Sequence, residues 1–393
     1  MIPEYSPKWK CAATLVPMTV APPVSLSSPG PSLDPDEVGV QLIAPDGRRT
    51  PNPTYDPFLA DLDPAGLRGL YRDMLLIRRL DQESEALQRQ GQLALWPSLL
   101  GQEAAQIGAG RALRSGDFAF PTYREHGLAH TRGVDWVHML RFWRGTHTGA
   151  WNPREHNINT YSVVIPTQAL HATGYAMGIQ RRHRDDVALA CFGDGATSQG
   201  DLSEAFVWAA VFDAPVVFLC QNNQWAISEP SRRQTKIPLY QRAAGYGFPG
   251  IRVDGNDVLA VRAVCMQALE RARSGQGPTL VEAYTYRMGA HTTSDDPTRY
   301  RSPADARRWA PRDPVERYRR WLRTEGLWDD DAEADTQQAI NAEAARVRAG
   351  CLALPEPQPA QLFDHVYAEL PPPLREQRDG YLAYLETLRP EEF

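Results

Sequence analysis

Two short polar groups close two apolar runs. Gly193-Asp194-Gly195 follows Val187–Phe192, and Asn222-Asn223 follows Val216–Cys220. Asn223 lies 29 residues beyond Asp194, the length of one strand-to-helix-to-strand excursion, so both groups return to one edge of a sheet. Asp194 offers a hard anionic oxygen and Asn223 a neutral amide oxygen. Magnesium takes a few such ligands and lets phosphate oxygens complete its octahedron. Glycines at 193 and 195 keep side chains away from an approaching diphosphate. The amides of Gly195 and Ala196, just ahead of a helix, form an anion-binding concavity. Asp-Gly and Asn-Asn are also ordinary turn formers. Their pairing at this spacing, after two strands, favours the chemistry of a cation and a diphosphate.

The elements that must carry these loops alternate. Val187–Phe192, Val216–Cys220, Ile251–Val253 and Thr279–Tyr286 read as buried strands, with helices over Leu202–Phe212 and Val258–Ala272 between them. Strands apolar on both faces imply an α/β fold, a mostly parallel sheet flanked by helices. Such sheets bind ligands at the carboxyl ends of their strands. Upstream, Asp63 caps a predicted helix with Pro64 at its first position. Leu67, Leu70, Tyr71, Met74 and Leu75 repeat at helical spacing, and Gly91 supplies a stop. Residues 1–57 hold 12 of the 33 prolines. Three parts are therefore expected: a Pro-rich arm over 1–60, an α/β domain over 61–310 and a helical extension over 311–393. The tail of that extension offers Tyr367, Leu370, Leu374, Tyr381 and Leu385 for docking.

Bulk properties narrow the class. A net charge of −6 disfavours nucleic acid, whose phosphates select a basic surplus. No apolar run approaches the roughly 20 residues that span a bilayer. The N-terminal sequence carries neither a secretory signal nor an arginine-rich transit segment, so the cytoplasm is expected. None of the five cysteines forms a C-x-x-C pair. Cys191 and Cys220, inside apolar runs, read as buried, reduced thiols.

Longer stretches carry a resemblance. GQEAAQIGAG (101–110), FPTYREHG (120–127), FGDGATSQGD (192–201), NNQWAIS (222–228), RVDGND (252–257) and YRMGAHTTSDDPTRYR (286–301) resemble the alpha subunits of thiamine-diphosphate-dependent 2-oxo acid dehydrogenases, especially the branched-chain type. With VYAELPPPLREQ near the C-terminus, the likeness extends over most of residues 60–385. It implies the thiamine-diphosphate-binding fold. It also implies that Asp194, Asn223 and the Trp225 carbonyl hold magnesium, and that Tyr123 and Arg124 meet the diphosphate. Gly193, Gly195 and Ala196 would lie along the diphosphate, and Ile165 would support the aminopyrimidine. His291 would act at the reacting centre, where a nearby anion favours its charged form. Other histidines (His126, His171, His183) are read as inert. Ser162, Thr167, Gln168 and the Val164 carbonyl match a potassium-binding loop, or else ordinary turn capping by hydroxyls.

The same likeness implies partners. The glutamate that activates the cofactor comes from a separate beta subunit in the two-chain members, which implies an α2β2 heterotetramer. The acyl product would pass to the lipoyl group of an acyltransferase component. Gln221 stands where relatives often have arginine, and Thr122 where they often have glutamine. Residues 146–162 depart from the usual glycine- and basic-rich segment near the substrate entrance. The implied substrate is a branched-chain 2-oxo acid, with pyruvate and acetoin as rivals on the same fold. A non-catalytic scaffold is a further alternative. A magnesium-dependent hydrolase lacks a G-x-S-x-G nucleophile motif.

Overall fold

The computed structural model describes residues 38–388 apart from Thr148 and His365. Most of the Pro-rich arm, Cys11 included, lies outside the described residues.

Five strands form one parallel sheet: β1 (Phe118–Phe120), β2 (Ala188–Gly193), β3 (Val216–Asn222), β4 (Gly250–Asp254) and β5 (Thr279–Tyr284), in the order β1-β2-β3-β5-β4. Alternate residues of each strand enter different cores. Leu189, Cys191, Val217, Leu219, Val281 and Ala283 face one hydrophobic cluster. Ala188, Ala190, Phe192, Phe218, Cys220 and Leu280 face the other. Both faces are thus covered, which is why the runs read as continuously apolar. β1 was not expected. Three residues are too few to display a period.

Helix α1 (Pro64–Arg89) begins as its sequence predicts. Asp63 accepts the Gly66 amide at 2.7 Å, Pro64 occupies the first turn, and Gly91 follows at φ 76°. Its buried stripe, Leu70, Met74, Ile77, Leu80 and Leu87, packs toward α2 (Glu103–Gly110), α3 (His126–Thr131) and α4 (Trp136–Arg144) in the first cluster. Helix α5 (Thr167–Arg181) and α6 (Gly200–Val211) cover the second face, while α7 (Val258–Arg273) covers the first. A Cβ at Gly108 of α2 would lie 2.8 Å from the Val261 Cβ and 2.9 Å from the Val258 carbonyl. Only glycine lets α2 approach α7 this closely.

Beyond the sheet come α8 (Pro303–Trp309), α9 (Pro314–Thr324), α10 (Asp330–Leu352) and α11 (Pro372–Thr387). Tyr318, Leu322, Val347 and Cys351 join the cluster that α1 enters, so these helices share the core of the sheet. Helix α11 differs in having no buried residue, and Tyr367 just before it is exposed. Cys191, Cys220, Cys265 and Cys351 are buried free thiols. Among the described residues no helix is long and apolar enough to cross a membrane.

Candidate active site

The carboxyl ends of β2 and β3 stand side by side, with Gly193 paired to Gln221. From there the chain turns sharply. Residues 194–198 form a 3-10 turn before α6, and residues 225–226 and 229–230 form a small antiparallel hairpin. A Cβ at Gly195 would sit 2.6 Å from the Ala226 Cβ, so glycine lets the turn press against the hairpin. Between them lies a cleft of about 190 Å³ lined by Tyr123, Arg124, Ile165, Gly193, Asp194, Gly195, Ala196, Asn223, Trp225 and His291. Every residue expected at the cofactor and at magnesium reaches this cleft. A larger cavity of about 300 Å³ shares Trp225 with it but is lined by neither Asp194 nor His291.

Asp194 is 2% exposed. Its Oδ2 accepts from Ser231 Oγ at 2.7 Å and from Gln234 Nε2 at 3.3 Å. Burial pushes its carboxyl up to about 6 against those donors, so a cation beside it would restore the charged form. A carboxylate has about four acceptor positions, and two donors leave room for a metal. Asn223 Oδ1 accepts the Trp225 amide at 3.2 Å, and its Nδ2 donates to Gln102 Oε1 at 3.1 Å. Asn222 has another task, donating to buried Glu282 at 2.7 Å. The Trp225 carbonyl accepts Arg287 Nη1 at 3.1 Å, which leaves one of its two lone pairs for a cation. Gln102 Nε2 is buried without a protein partner, a donor suited to an anion. The donor set therefore fits magnesium diphosphate.

Opposite these oxygens stands a cationic wall. Arg124 donates through Nη1 to the Ser98 carbonyl at 2.6 Å and through Nη2 to the His291 carbonyl at 2.9 Å. Its Nη2 also lies 3.2 Å from His291 Nδ1. A guanidinium only donates, so Nδ1 accepts and the imidazole proton belongs on Nε2. Burial, then Arg124 and Arg287, push the His291 pKa down to about 3. The expected preference for imidazolium is thus reversed in the chain by itself. Two guanidiniums and desolvation outweigh Asp295, whose carboxylate accepts the His291 amide at 2.8 Å.

Several residues lining the cleft, and Arg287 just behind His291, were not singled out from sequence. Gln102 and Glu125 lie inside GQEAAQIGAG and FPTYREHG, where a polar residue in a motif was the available signal. Glu125 is buried, accepts the Thr122 amide and receives Gln221 Nε2 at 2.5 Å. Gln221 therefore serves a neighbouring carboxylate. Arg287, fully buried, also donates to the Ile227 carbonyl at 2.7 Å and to Tyr300 Oη at 3.0 Å. Burial and Arg124 lower its pKa to about 10. Nothing but its place in a motif marked it.

The potassium set lies elsewhere. Ser162, Val164, Thr167 and Gln168 do not line the cleft. The Val164 carbonyl already accepts the Thr167 amide at 3.2 Å. Gln168 donates to the Cys191 carbonyl at 2.9 Å, yet its Oε1 is buried without a partner. His126 is a core histidine. Its Nε2–H donates to the Pro97 carbonyl at 3.1 Å, so its Nδ1 accepts from Tyr161 Oη at 2.6 Å, and burial lowers its pKa to about 3.

A parallel α/β sheet gathering a buried acid, an amide and a guanidinium in a cleft at its carboxyl edge has the form of a ligand-binding α/β protein. Comparison with known proteins sets the family. The family described as Dehydrogenase E1 component matches residues 71–351, and the chain belongs to it. It is 48% identical to the 3-methyl-2-oxobutanoate dehydrogenase subunit alpha of Mycobacterium tuberculosis, over 88% of this chain and 94% of that protein. Pyruvate dehydrogenase E1 component alpha subunits match less well. That of Acholeplasma laidlawii is 36% identical over 81% of this chain and 94% of its own length. That of Staphylococcus epidermidis is 37% identical over 87% and 92%.

Proposed function

We propose that this chain is the alpha subunit of a branched-chain 2-oxo acid dehydrogenase. It acts with a separate beta subunit in an α2β2 heterotetramer and passes the acyl product to the lipoyl group of an acyltransferase component, in the cytoplasm. The observation that carries this is one cleft bringing together Asp194, Asn223, Arg124 and His291, in a chain far more similar to a 3-methyl-2-oxobutanoate dehydrogenase alpha subunit than to the pyruvate enzymes.

Thiamine diphosphate, when bound, supplies the electron sink that lets a 2-oxo acid lose carbon dioxide. The chain's own residues hold and orient it. Asp194, Asn223 and the Trp225 carbonyl would hold magnesium against the diphosphate, with the Gly195 and Ala196 amides beside it. Tyr123 and Arg124 would meet the phosphate oxygens, Arg124 through a planar fork that its two carbonyl partners fix in direction. Ile165 would support the aminopyrimidine ring. His291, with its proton on Nε2, would meet the reacting end and would donate there as a neutral imidazole. Potassium at Ser162, Val164, Thr167 and Gln168 is part of the same proposal, supported by the unpartnered Gln168 Oε1. The three-part division at residues 60 and 310 is likewise an organisational proposal.

The test is reconstitution with a beta-subunit-like chain, comparing decarboxylation of 3-methyl-2-oxobutanoate with that of pyruvate. The first is expected to be preferred. Strong pyruvate preference overturns the substrate, and turnover by the alpha chain alone overturns the divided site.

A further inference from the structure

Behind the cationic wall runs a segment without secondary structure, Trp96–Leu99. It touches the cleft's machinery at several points. The Ser98 carbonyl anchors Arg124 Nη1. The Trp96 amide donates to Thr293 Oγ1 at 3.0 Å, and the Thr293 amide returns a bond to the Trp96 carbonyl at 3.0 Å, two residues beyond His291. The indole of Trp96 stacks on the core His126 ring, with centroids 4.2 Å apart.

One buried carboxylate grips this segment. Asp81, on α1 and 2% exposed, accepts Trp96 Nε1 at 2.8 Å, Ser98 Oγ at 2.6 Å and the Leu99 amide at 3.1 Å. Three donors converge on a single side chain. An ionised carboxylate can accept all of them, whereas asparagine of the same size would turn an NH2 group toward one. Helix α1 is a rigid base for such a grip, since its 26 residues pack along the core.

We propose that Asp81 is a positioning residue for the diphosphate-binding edge of the cleft. By holding Trp96–Leu99 it sets the Ser98 carbonyl, and so the direction of the Arg124 fork. Through Trp96 and Thr293 it also holds the loop that carries His291. The inference rests on the proposed reading that Arg124 and His291 face a diphosphate. A guanidinium fork tilted by a displaced carbonyl loses its match to phosphate oxygens.

The experiment uses the full-length alpha chain assembled with its beta partner. Calorimetry measures binding of inorganic pyrophosphate with magnesium, and of thiamine diphosphate with magnesium. Asp81→Asn is expected to weaken both by roughly 10-fold or more, as loss of outer supporting hydrogen bonds does at metal sites. Ser98→Ala is expected to weaken both in the same direction and Ser98→Thr, which keeps the hydroxyl, to restore them. Tyr71→Phe is the matched control: it deletes a hydroxyl on the same helix that donates to Glu333 at 3.2 Å, and the Tyr71 ring packs on Tyr318 and Trp328 rather than on the segment. Wild-type affinity in Asp81→Asn and Ser98→Ala overturns the proposal, as does equal weakening in Tyr71→Phe. A wild-type assembly that fails to bind pyrophosphate at all would instead defeat the diphosphate reading beneath it.

Discussion

At the scale of single residues, the site is a set of buried groups whose charges are uneasy in the chain by itself. Asp194 is raised to about 6 by burial, and His291 is lowered to about 3 by burial and two guanidiniums. A magnesium diphosphate would answer both, as cation to the acid and anion to the cationic wall. Asp194→Ala is therefore expected to abolish magnesium-dependent cofactor binding, costing several kcal/mol through loss of a charged metal ligand, about the size of breaking a buried ion pair. Titration calorimetry checks it, and retained binding would remove Asp194 from the metal site. The same shifts set an acid dependence. His126 and His291 have folded pKa values near 3, below the ordinary 6.5. The unfolded chain therefore binds more protons between those limits, and stability present above pH 6.5 is lost as pH falls toward 3. Asp81 and Asp194, raised from 3.8 to about 6, act in the opposite sense between pH 6 and 3.8. The histidine contribution is thus lost as pH falls from 6.5 toward 3, partly offset by the two acids. Denaturation midpoints should fall over that window, and less steeply in His126→Phe. Equal slopes in the two proteins would discard this account.

At the scale of elements, the cleft depends on a turn and a hairpin that touch. The 194–198 turn carries Asp194, the hairpin carries Trp225, and the glycine between them leaves no space for a side chain. In Gly195→Ala the new Cβ would lie 2.6 Å from the Ala226 Cβ, well inside contact distance, so the hairpin must shift. We expect cofactor affinity to fall by about 10-fold or more, because displaced ligand positions are costly at a metal site, with a much smaller change in melting temperature. Fluorescence quenching of the cleft tryptophan, Trp225, by thiamine diphosphate would measure it. Unchanged affinity would show that the hairpin yields without moving its ligand.

At the scale of the molecule, α6 leaves an apolar face uncovered. Val207, Trp208, Val211 and Phe212 are exposed, with Trp208 and Phe212 stacked at 5.5 Å. Val163, Val164 and Ile227 are exposed as well. Exposed apolar side chains grouped along one helix mark an interaction site, consistent with a beta subunit as partner. Val211 is 70% exposed, so Val211→Asp should alter the alpha chain's own stability by only about 0.5 kcal/mol or less. It should nonetheless sharply reduce recovery of the beta chain on co-purification. Undiminished recovery would place the partner on another face.

The strands β2, β3, β4 and β5, the capped start of α1 and the cleft's Asp194 and Asn223 were legible in residue order, because each depends on local periodicity or on a loop that ends a strand. The motif resemblance likewise picked out Tyr123, Arg124, Ile165, Trp225 and His291, all of which line one cleft. Contacts between distant segments were not legible. No spacing announces that Asp81 holds Ser98, that Gln221 serves Glu125 or that Arg287 spans Trp225, Ile227 and Tyr300. The protonation of His291 belongs to the same class. Its neighbours Arg124 and Arg287 converge on it only once the chain is folded. Local pattern is written along the chain, whereas desolvation and charge pairing are properties of space, and only the tertiary structure brings them into being.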